Sequence, residues 1–287
     1  MYTTLIDAQT LARALAGPGS DGILVLDCGF DLTDPGAGRR QYEAGHLPGA
    51  AYVHLDDTLS GAKTGANGRH PLPDREALAA ALAALGADAD TQIVAYDNAG
   101  GMYAARLWWL LRWIGHDAVA VLDGGIGAWK AAGQPLSTQP PATRAPGGLS
   151  ARAGRPRTLS YAQMREALAT GDRVVLDARA PDRYRGENET LDKVGGHIPG
   201  ARNRFFRDNL DAEGRFLPPD ALRQAFLDRM GGRSPEAVVN QCGSGVTACH
   251  NLLAMEIAGL TGAALYPGSW SEWSAQPDAP VATGPDA

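Results

Sequence analysis

The feature that most limits what this chain can become is that it is written twice. Near the start, the apolar, largely β-branched run Ile23-Leu24-Val25-Leu26 ends in Asp27 and is followed by Gly45-His46-Leu47-Pro48-Gly49-Ala50. Past the middle, Val174-Val175-Leu176 ends in Asp177 and is followed by Gly196-His197-Ile198-Pro199-Gly200-Ala201. Each half then sends a second apolar run into a glycine-bearing loop: Ile93-Val94-Ala95-Tyr96-Asp97 before Gly100-Gly101, and Ala237-Val238-Val239-Asn240-Gln241-Cys242 before Gly243-Ser244-Gly245. Each half closes on a glycine turn and a tryptophan, Gly124-Gly125 to Trp129 and Gly268-Ser269 to Trp273. A repeat of this extent makes each copy a domain with a core of its own, and 287 residues suffice for two such cores without a metal or a disulfide.

Short apolar strands alternate with helical stretches at 74–85, 104–113, 160–169 and 248–258. This predicts the α/β class: two similar domains, each a mainly parallel sheet flanked by helices. Residues 136–156 are rich in proline, glycine, serine and threonine and lose periodicity, so the expected division is a domain over 1–140, a linker over 141–156 and a domain over 157–287. A net charge of −6 gives no reason to expect a nucleic-acid partner. The most apolar stretch, 107–114, is too short to span a bilayer and carries Arg112, so it reads as a packed helix and no membrane anchor is expected. The first residues show neither a basic region nor an apolar export segment, which places the expected location in the cytoplasm. Three cysteines, Cys28, Cys242 and Cys249, without a CxxC pair are expected to be free thiols, as suits a reducing compartment.

The segment with most chemical content is Cys242-Gly243-Ser244-Gly245-Val246-Thr247, between a β-run and a helix. In a parallel sheet this puts Cys242 at the carboxyl edge of a strand, where ligand sites collect. Two closely spaced glycines let successive backbone N–H groups turn inward and form an anion-binding nest, reinforced by the positive end of the following helix. A thiolate is an anion, so the Cys242 pKa is expected below the free value of about 8.5, making Cys242 a candidate nucleophile. Cys249, further along the same helix among apolar residues, reads as core, and Cys28 as packing.

The duplicated plan, the Gly-His-Leu/Ile-Pro-Gly-Ala turns, the CGSGVTAC loop and Tyr266-Pro267-Gly268-Ser269-Trp270-Ser271-Glu272-Trp273 resemble the tandem-rhodanese sulfurtransferases, over nearly the whole chain outside the linker and tail. In that family the active loop belongs to the second domain and the first is catalytically silent, and here the position matching Cys242 is Asp97. The loop is most similar to that of the 3-mercaptopyruvate sulfurtransferases, whereas thiosulfate-preferring members carry basic residues after the cysteine. Neutral Gly243 and Ser244 supply no cation for a dianion but suffice for a monoanionic keto acid. The resemblance assigns Arg183 to the donor carboxylate and Cys242, Gly243, Ser244, Gly245, Val246 and Thr247 to the active loop. It also assigns Ser244, His70 and Asp56 to a catalytic Ser-His-Asp arrangement, which implies a site between domains. A second family arginine is expected nine residues after Arg183, where Asp192 stands, leaving Lys193, Arg185 or Arg202 as substitutes.

These residues imply ping-pong transfer of sulfur from a small anionic donor, 3-mercaptopyruvate favoured, through a Cys242 persulfide. The resemblance further implies a thioredoxin-like dithiol, a small thiol or cyanide as acceptor. No organic cofactor or metal is called for, since the sulfur rides on the protein. The alternatives are a thiosulfate:cyanide sulfurtransferase and, more remotely, a non-enzymatic interaction or sulfur-carrier module. A Cys-dependent phosphatase would need an arginine where Ala248 stands, and a zinc site from His46, His54 and His70 lacks paired ligand spacing.

Overall fold

In both copies the β-branched runs pair side by side in parallel, and in the same order. The structure is a computed structural model that describes residues 1–285; the last two residues of the expected second domain lie outside the described residues. The first sheet is built from β1 (Leu5–Ile6), β2 (Ile23–Asp27), β3 (Ala51–Tyr52), β4 (Gln92–Tyr96) and β5 (Val119–Leu122), in the order β1-β5-β4-β2-β3. Its helices are α1 (Ala8–Ala16), α2 (Ala37–Ala44), α3 (Arg75–Ala84), α4 (Met102–Trp113) and α5 (Gly125–Ala131). The second sheet repeats the order as β6-β10-β9-β7-β8, from β6 (Arg157–Thr158), β7 (Val174–Asp177), β8 (Arg202–Asn203), β9 (Val238–Gln241) and β10 (Ala264–Leu265). Its helices are α6 (Tyr161–Thr170), α7 (Pro181–Arg185), α8 (Pro219–Met230), α9 (Thr247–Ile257) and α10 (Ser269–Trp273). The central strands are buried, which is why they read as continuous apolar runs rather than alternating ones.

Register confirms the repeat residue by residue. Asp27 pairs with Tyr96 in the first sheet and Asp177 with Gln241 in the second, so Asp97 and Cys242 are equivalent, each the first residue beyond its strand. The helices start where the chemistry predicts. The Asp7 carboxylate accepts the Thr10 amide, the Asp74 carboxylate the Ala77 amide, and Ser160 and Gln163 form a capping box. The Gly-His-x-Pro-Gly-Ala turns belong to the framework. His46 stacks on Tyr42 at 3.9 Å and His197 on Tyr184 at 3.8 Å between ring centroids, and both tyrosine hydroxyls donate to the carbonyl of the turn's final alanine. The closing tryptophans match too: Trp129 donates to the Pro135 carbonyl at 2.8 Å and Trp273 to that of Pro280 at 2.9 Å.

The chain divides into two compact units. The first comprises Met1–Gly61, Pro73–Arg155 and Asp211–Phe216; the second comprises Ala62–Leu72, Pro156–Leu210 and the chain from Leu217 onward. Composition alone gave no sign of the exchange of 62–72 and 211–216, because it depends on pairing between distant residues. The low-periodicity stretch after 140 is fastened to the first unit, with Gly147 N–H donating to Ala83 at 2.8 Å and Arg152 N–H to Ile114 at 2.7 Å. α4 is the packed helix expected: even Arg106 is fully buried, its guanidinium donating to the Leu59 carbonyl. No helix among the described residues is long and apolar enough to cross a membrane.

Candidate active site

Cys242 leaves β9 and its sulfur is met at once by the backbone. The Gly245 amide donates to Sγ at 3.1 Å and the Ser244 amide at 3.4 Å. The Ser244 amide shares its peptide group with the Gly243 carbonyl, and the start of α10 holds that carbonyl and the one before it. Trp270 N–H donates to the Cys242 carbonyl and Ser271 N–H to the Gly243 carbonyl, both at 2.9 Å. Cys242's own amide donates to Ser269 Oγ at 3.1 Å, and that hydroxyl donates to the Tyr266 carbonyl at 2.9 Å. Ser269 is the one described non-glycine residue with positive φ, 54°, so the strap carries backbone strain next to the site it shapes. The sequence reading saw the nest but not this strap, although Gly268-Ser269-Trp270 was in view as part of the repeat.

Gly245 is required by the curl: its φ is +79°, and a Cβ there would stand 2.6 Å from the Pro267 carbonyl oxygen. Val246 lies at the N-cap of α9, and Thr247, half-buried, is its first residue. Cys242 is 2 % exposed, and the Arg69 and Arg183 side chains, 22 % and 20 % exposed, lie beside its neighbour Gly243. Cys249 and Cys28 are fully buried; the Cys249 thiol donates to the Gly245 carbonyl at 3.2 Å, and burial, with Asp27 and Asp97 nearby, pushes the Cys28 thiol well up. None of the three cysteines forms a disulfide.

Four further residues surround the loop within the second unit. His70, which arrives on the 62–72 segment, shares a 2.7 Å hydrogen bond between Nδ1 and Ser244 Oγ, with both residues buried. Arg183, in α7, lends its Nε and Nη2 edge to Glu189 at 2.8 to 3.2 Å, and its Nη1 and Nη2 each lie 3.7 Å from the point where a Gly243 Cβ would be. Burial alone would raise the Glu189 carboxyl, but the Arg183 guanidinium and the amides of Leu191 and Asp192 hold it below the ordinary carboxylate range. Arg179 is buried over the Trp270 ring at 4.7 Å and donates to Asp177 at 2.6 Å and to the Gly196 carbonyl at 2.7 Å. Burial disfavours its charge, yet Asp177 and Glu189 beside it hold it above the usual arginine range, which keeps a positive charge in the field of the Cys242 sulfur. The sequence reading missed Arg179. Its signal was topological: it follows β7, the strand that neighbours β9.

Of the substitutes considered for the missing arginine, Arg185 pairs with Glu187 at 2.7 Å and Arg202 donates to the Arg229 carbonyl at 2.6 Å, both turned to other tasks. It is Arg69 that faces Asp192, at 2.8 Å. Asp56 belongs to the first unit, where its amide donates to His54 Nδ1 at 3.2 Å.

The equivalent place in the first unit is filled from within. Asp97 sends one carboxylate oxygen to the amides of Ala99 and Gly101 at 2.8 Å and the other to those of Tyr103 and Ala104 at 2.8 and 2.9 Å. Its nest is satisfied by its own side chain, and Gly29 stands where the second copy has Arg179. A cavity of about 330 Å³ beside it is lined by Asp27, Tyr96 and Asp97 among others. Replacing Asp97 with alanine leaves four amides, three of them buried, without their acceptor. The expected cost is about 3 kcal/mol of unfolding free energy, read by urea denaturation, and a loss below 1 kcal/mol would show that the nest does not need the carboxylate.

The model of the family described as "Rhodanese-like domain" matches residues 7–132 and again 160–276. A probable 3-mercaptopyruvate sulfurtransferase of Pseudomonas aeruginosa is 48% identical over 282 residues, covering 98% of each chain. A putative thiosulfate sulfurtransferase of Mycobacterium tuberculosis is 38% identical over 291 residues, 98% of this chain and 97% of that one. Among solved structures, SseA from Escherichia coli, described with the fold and mechanism of 3-mercaptopyruvate sulfurtransferases, aligns with a TM-score of 0.79 at 29% identity, over 94% of this chain and 99% of its own.

Proposed function

Since this chain belongs to the rhodanese-like family, of whose domain it carries two copies, we propose that it is a sulfurtransferase that takes sulfur from a small anionic donor, 3-mercaptopyruvate ahead of thiosulfate, through a persulfide on Cys242. The observation that carries this reading is the pair of amides aimed at Sγ, in a loop whose first two carbonyls are held by α10. Such preorganised donors stabilise negative charge on the attacking sulfur and on the persulfide that replaces it.

With 3-mercaptopyruvate the Cys242 thiolate attacks the donor sulfur, forming an S–S bond. The C–S bond breaks and its electron pair passes to carbon as the enolate of pyruvate. The proton of the donor thiol ends on that carbon, leaving a persulfide anion on Cys242 and pyruvate in solution. Ser244 and His70, joined by hydrogen bond, are suited to orient the keto oxygen and to relay this proton, and Arg183 to hold the carboxylate. Val246 and Thr247 line the loop as it enters α9, and the first unit is catalytically silent, its nest occupied by Asp97. A thiol nucleophile, from a thioredoxin-like dithiol or a small thiol, or cyanide, then removes the outer sulfur. No resident cofactor takes part, and three cysteines that form no disulfide fit a cytoplasmic setting.

The donor preference rests on local charge. The three guanidiniums near the loop are each matched by a carboxylate: Arg179 with Asp177, Arg183 with Glu189, Arg69 with Asp192. A thiosulfate dianion approaching the thiolate therefore meets no net positive charge, whereas a monoanion with a carboxylate needs only one well-placed fork. Thiosulfate remains the second reading, in keeping with the name of the 38% identical relative. Catalytic efficiency is expected to be at least about tenfold higher with 3-mercaptopyruvate, a difference of about 1.4 kcal/mol. Arg183→Ala is expected to raise KM for the keto acid while leaving persulfide discharge to a thiol little changed. Preference for thiosulfate, or equal effects on both half-reactions, would reject these assignments.

A further inference from the structure

We infer that Arg69, carried in on the 62–72 segment and anchored by Asp192, is the second guanidinium that binds the donor's carboxylate. The inference rests on the sulfurtransferase reading above and adds a residue that neither the family resemblance nor the sequence spacing supplies.

Position 192, where the family pattern calls for an arginine, holds a carboxylate, and that carboxylate is used to bring in an arginine from elsewhere. Asp192 Oδ1 accepts from Arg69 Nη1 at 2.8 Å, and its Oδ2 lies 3.6 Å from Arg183 Nη2. One nearly buried acid thus stands between two guanidiniums, and its own amide is fixed by Glu189 at 3.1 Å. The backbone of Arg69 is equally constrained. Its N–H donates to Ser271 Oγ at 2.9 Å, and Gly68, with φ +84°, passes so close to α10 that a Cβ would stand 2.7 Å from the Gly268 carbonyl oxygen. Residue 69 is therefore held by the same turn that straps the cysteine loop.

The two guanidiniums converge on one point. A Cβ built on Gly243 would stand 3.0 Å from Arg69 Nη2 and 3.7 Å from both Nη1 and Nη2 of Arg183. Gly243, the residue that follows the nucleophile, puts no side chain between the loop and these two guanidiniums. In 3-mercaptopyruvate two carbons separate the sulfur from the carboxylate carbon, so a donor sulfur poised on Cys242 brings its carboxylate to just this neighbourhood. Arg69 Nη1 is engaged by Asp192 while Nη2 lies on the Gly243 side, and the Arg69 Nε is buried without a hydrogen-bond partner of its own. Two arginines on one carboxylate also explain how the site binds a keto acid although each fork is already partly committed to an acid.

The test uses three variants of the full chain, with steady-state kinetics in 3-mercaptopyruvate and, separately, the rate at which preformed persulfide is discharged to a small thiol. Arg69→Ala is expected to raise KM about tenfold with a smaller change in kcat and no change in discharge. Because that variant also strands the Asp192 carboxylate, Arg69→Ala/Asp192→Asn separates the two effects. The raised KM is expected to persist there, and to fall back toward the parent value in Arg69→Ala/Asp192→Arg, which returns a guanidinium by the other route. Full recovery in Arg69→Ala/Asp192→Asn would overturn the inference, reducing Arg69 to a neutraliser of Asp192, as would a KM unchanged in Arg69→Ala. Failure of the parent protein to form any persulfide would overturn the underlying reading instead.

Discussion

Replacing Cys242 with serine is expected to reduce sulfur transfer from any donor by about 10⁴-fold or more, to the level left when a covalent nucleophile is removed. Serine fits the space and keeps the backbone bonds of the loop, so folding is expected to be preserved and circular dichroism and thermal unfolding should match the parent. The hydroxyl cannot replace the thiol, because sulfur transfer needs an atom that bonds readily to sulfur and ionises at neutral pH. Neither remaining cysteine can substitute. Cys28 is sealed in the first unit with its thiol held protonated by burial and neighbouring acids, and Cys249 is buried behind the loop with its thiol donating to Gly245. The measurement is turnover with 3-mercaptopyruvate and with thiosulfate in the presence of a thiol acceptor. Residual activity above about one per cent would mean that another group carries the sulfur.

Gly245→Ala is expected to have the next largest effect, and it separates the nest from the nucleophile. The substitution keeps the thiol but places a methyl 2.6 Å from the Pro267 carbonyl oxygen in a backbone conformation, φ +79°, that alanine disfavours. The loop must shift, and with it the amide that meets Sγ at 3.1 Å. Losing one such preorganised donor typically costs about 10² to 10³ in rate, and the strained backbone about 1 to 3 kcal/mol in stability. Because this amide serves the protein's own sulfur and not the donor's carboxylate, the fall in single-turnover persulfide formation is expected to be similar for both donors. A rate within twofold of the parent would show that the amides are spectators.

Much of the fold was legible because it depends on local pattern. Continuous β-branched runs, helical periodicity and glycine turns located β2, β4, β7 and β9 and, of the helices, α3, α4, α6 and α9, with helix ends displaced by only a residue or two: 248–258 was expected where α9 runs Thr247–Ile257. The cysteine loop was legible for the same reason, since strand, glycines and helix adjoin in sequence. What could not be read locally is whatever depends on contacts between distant positions. The α10 strap joins residues 27 apart, His70 meets Ser244 across 174, and Arg69 meets Asp192 across 123. Assigning 62–72 to the second unit required those pairings. Arg179 was hidden differently: Asp177-Ala178-Arg179 looks like an ordinary strand end until β7 is known to lie against β9. The silent copy also gained a physical account, because Asp97 is a ligand to its own nest and not merely a missing cysteine.

The most direct test of the account is to weigh the protein. After incubation with 3-mercaptopyruvate and removal of excess donor, the intact chain is expected to gain the mass of one sulfur atom, released by a thiol and located by peptide mapping on Cys242. An unchanged mass, or added sulfur found on Cys28 or Cys249 with Cys242 bare, would contradict it.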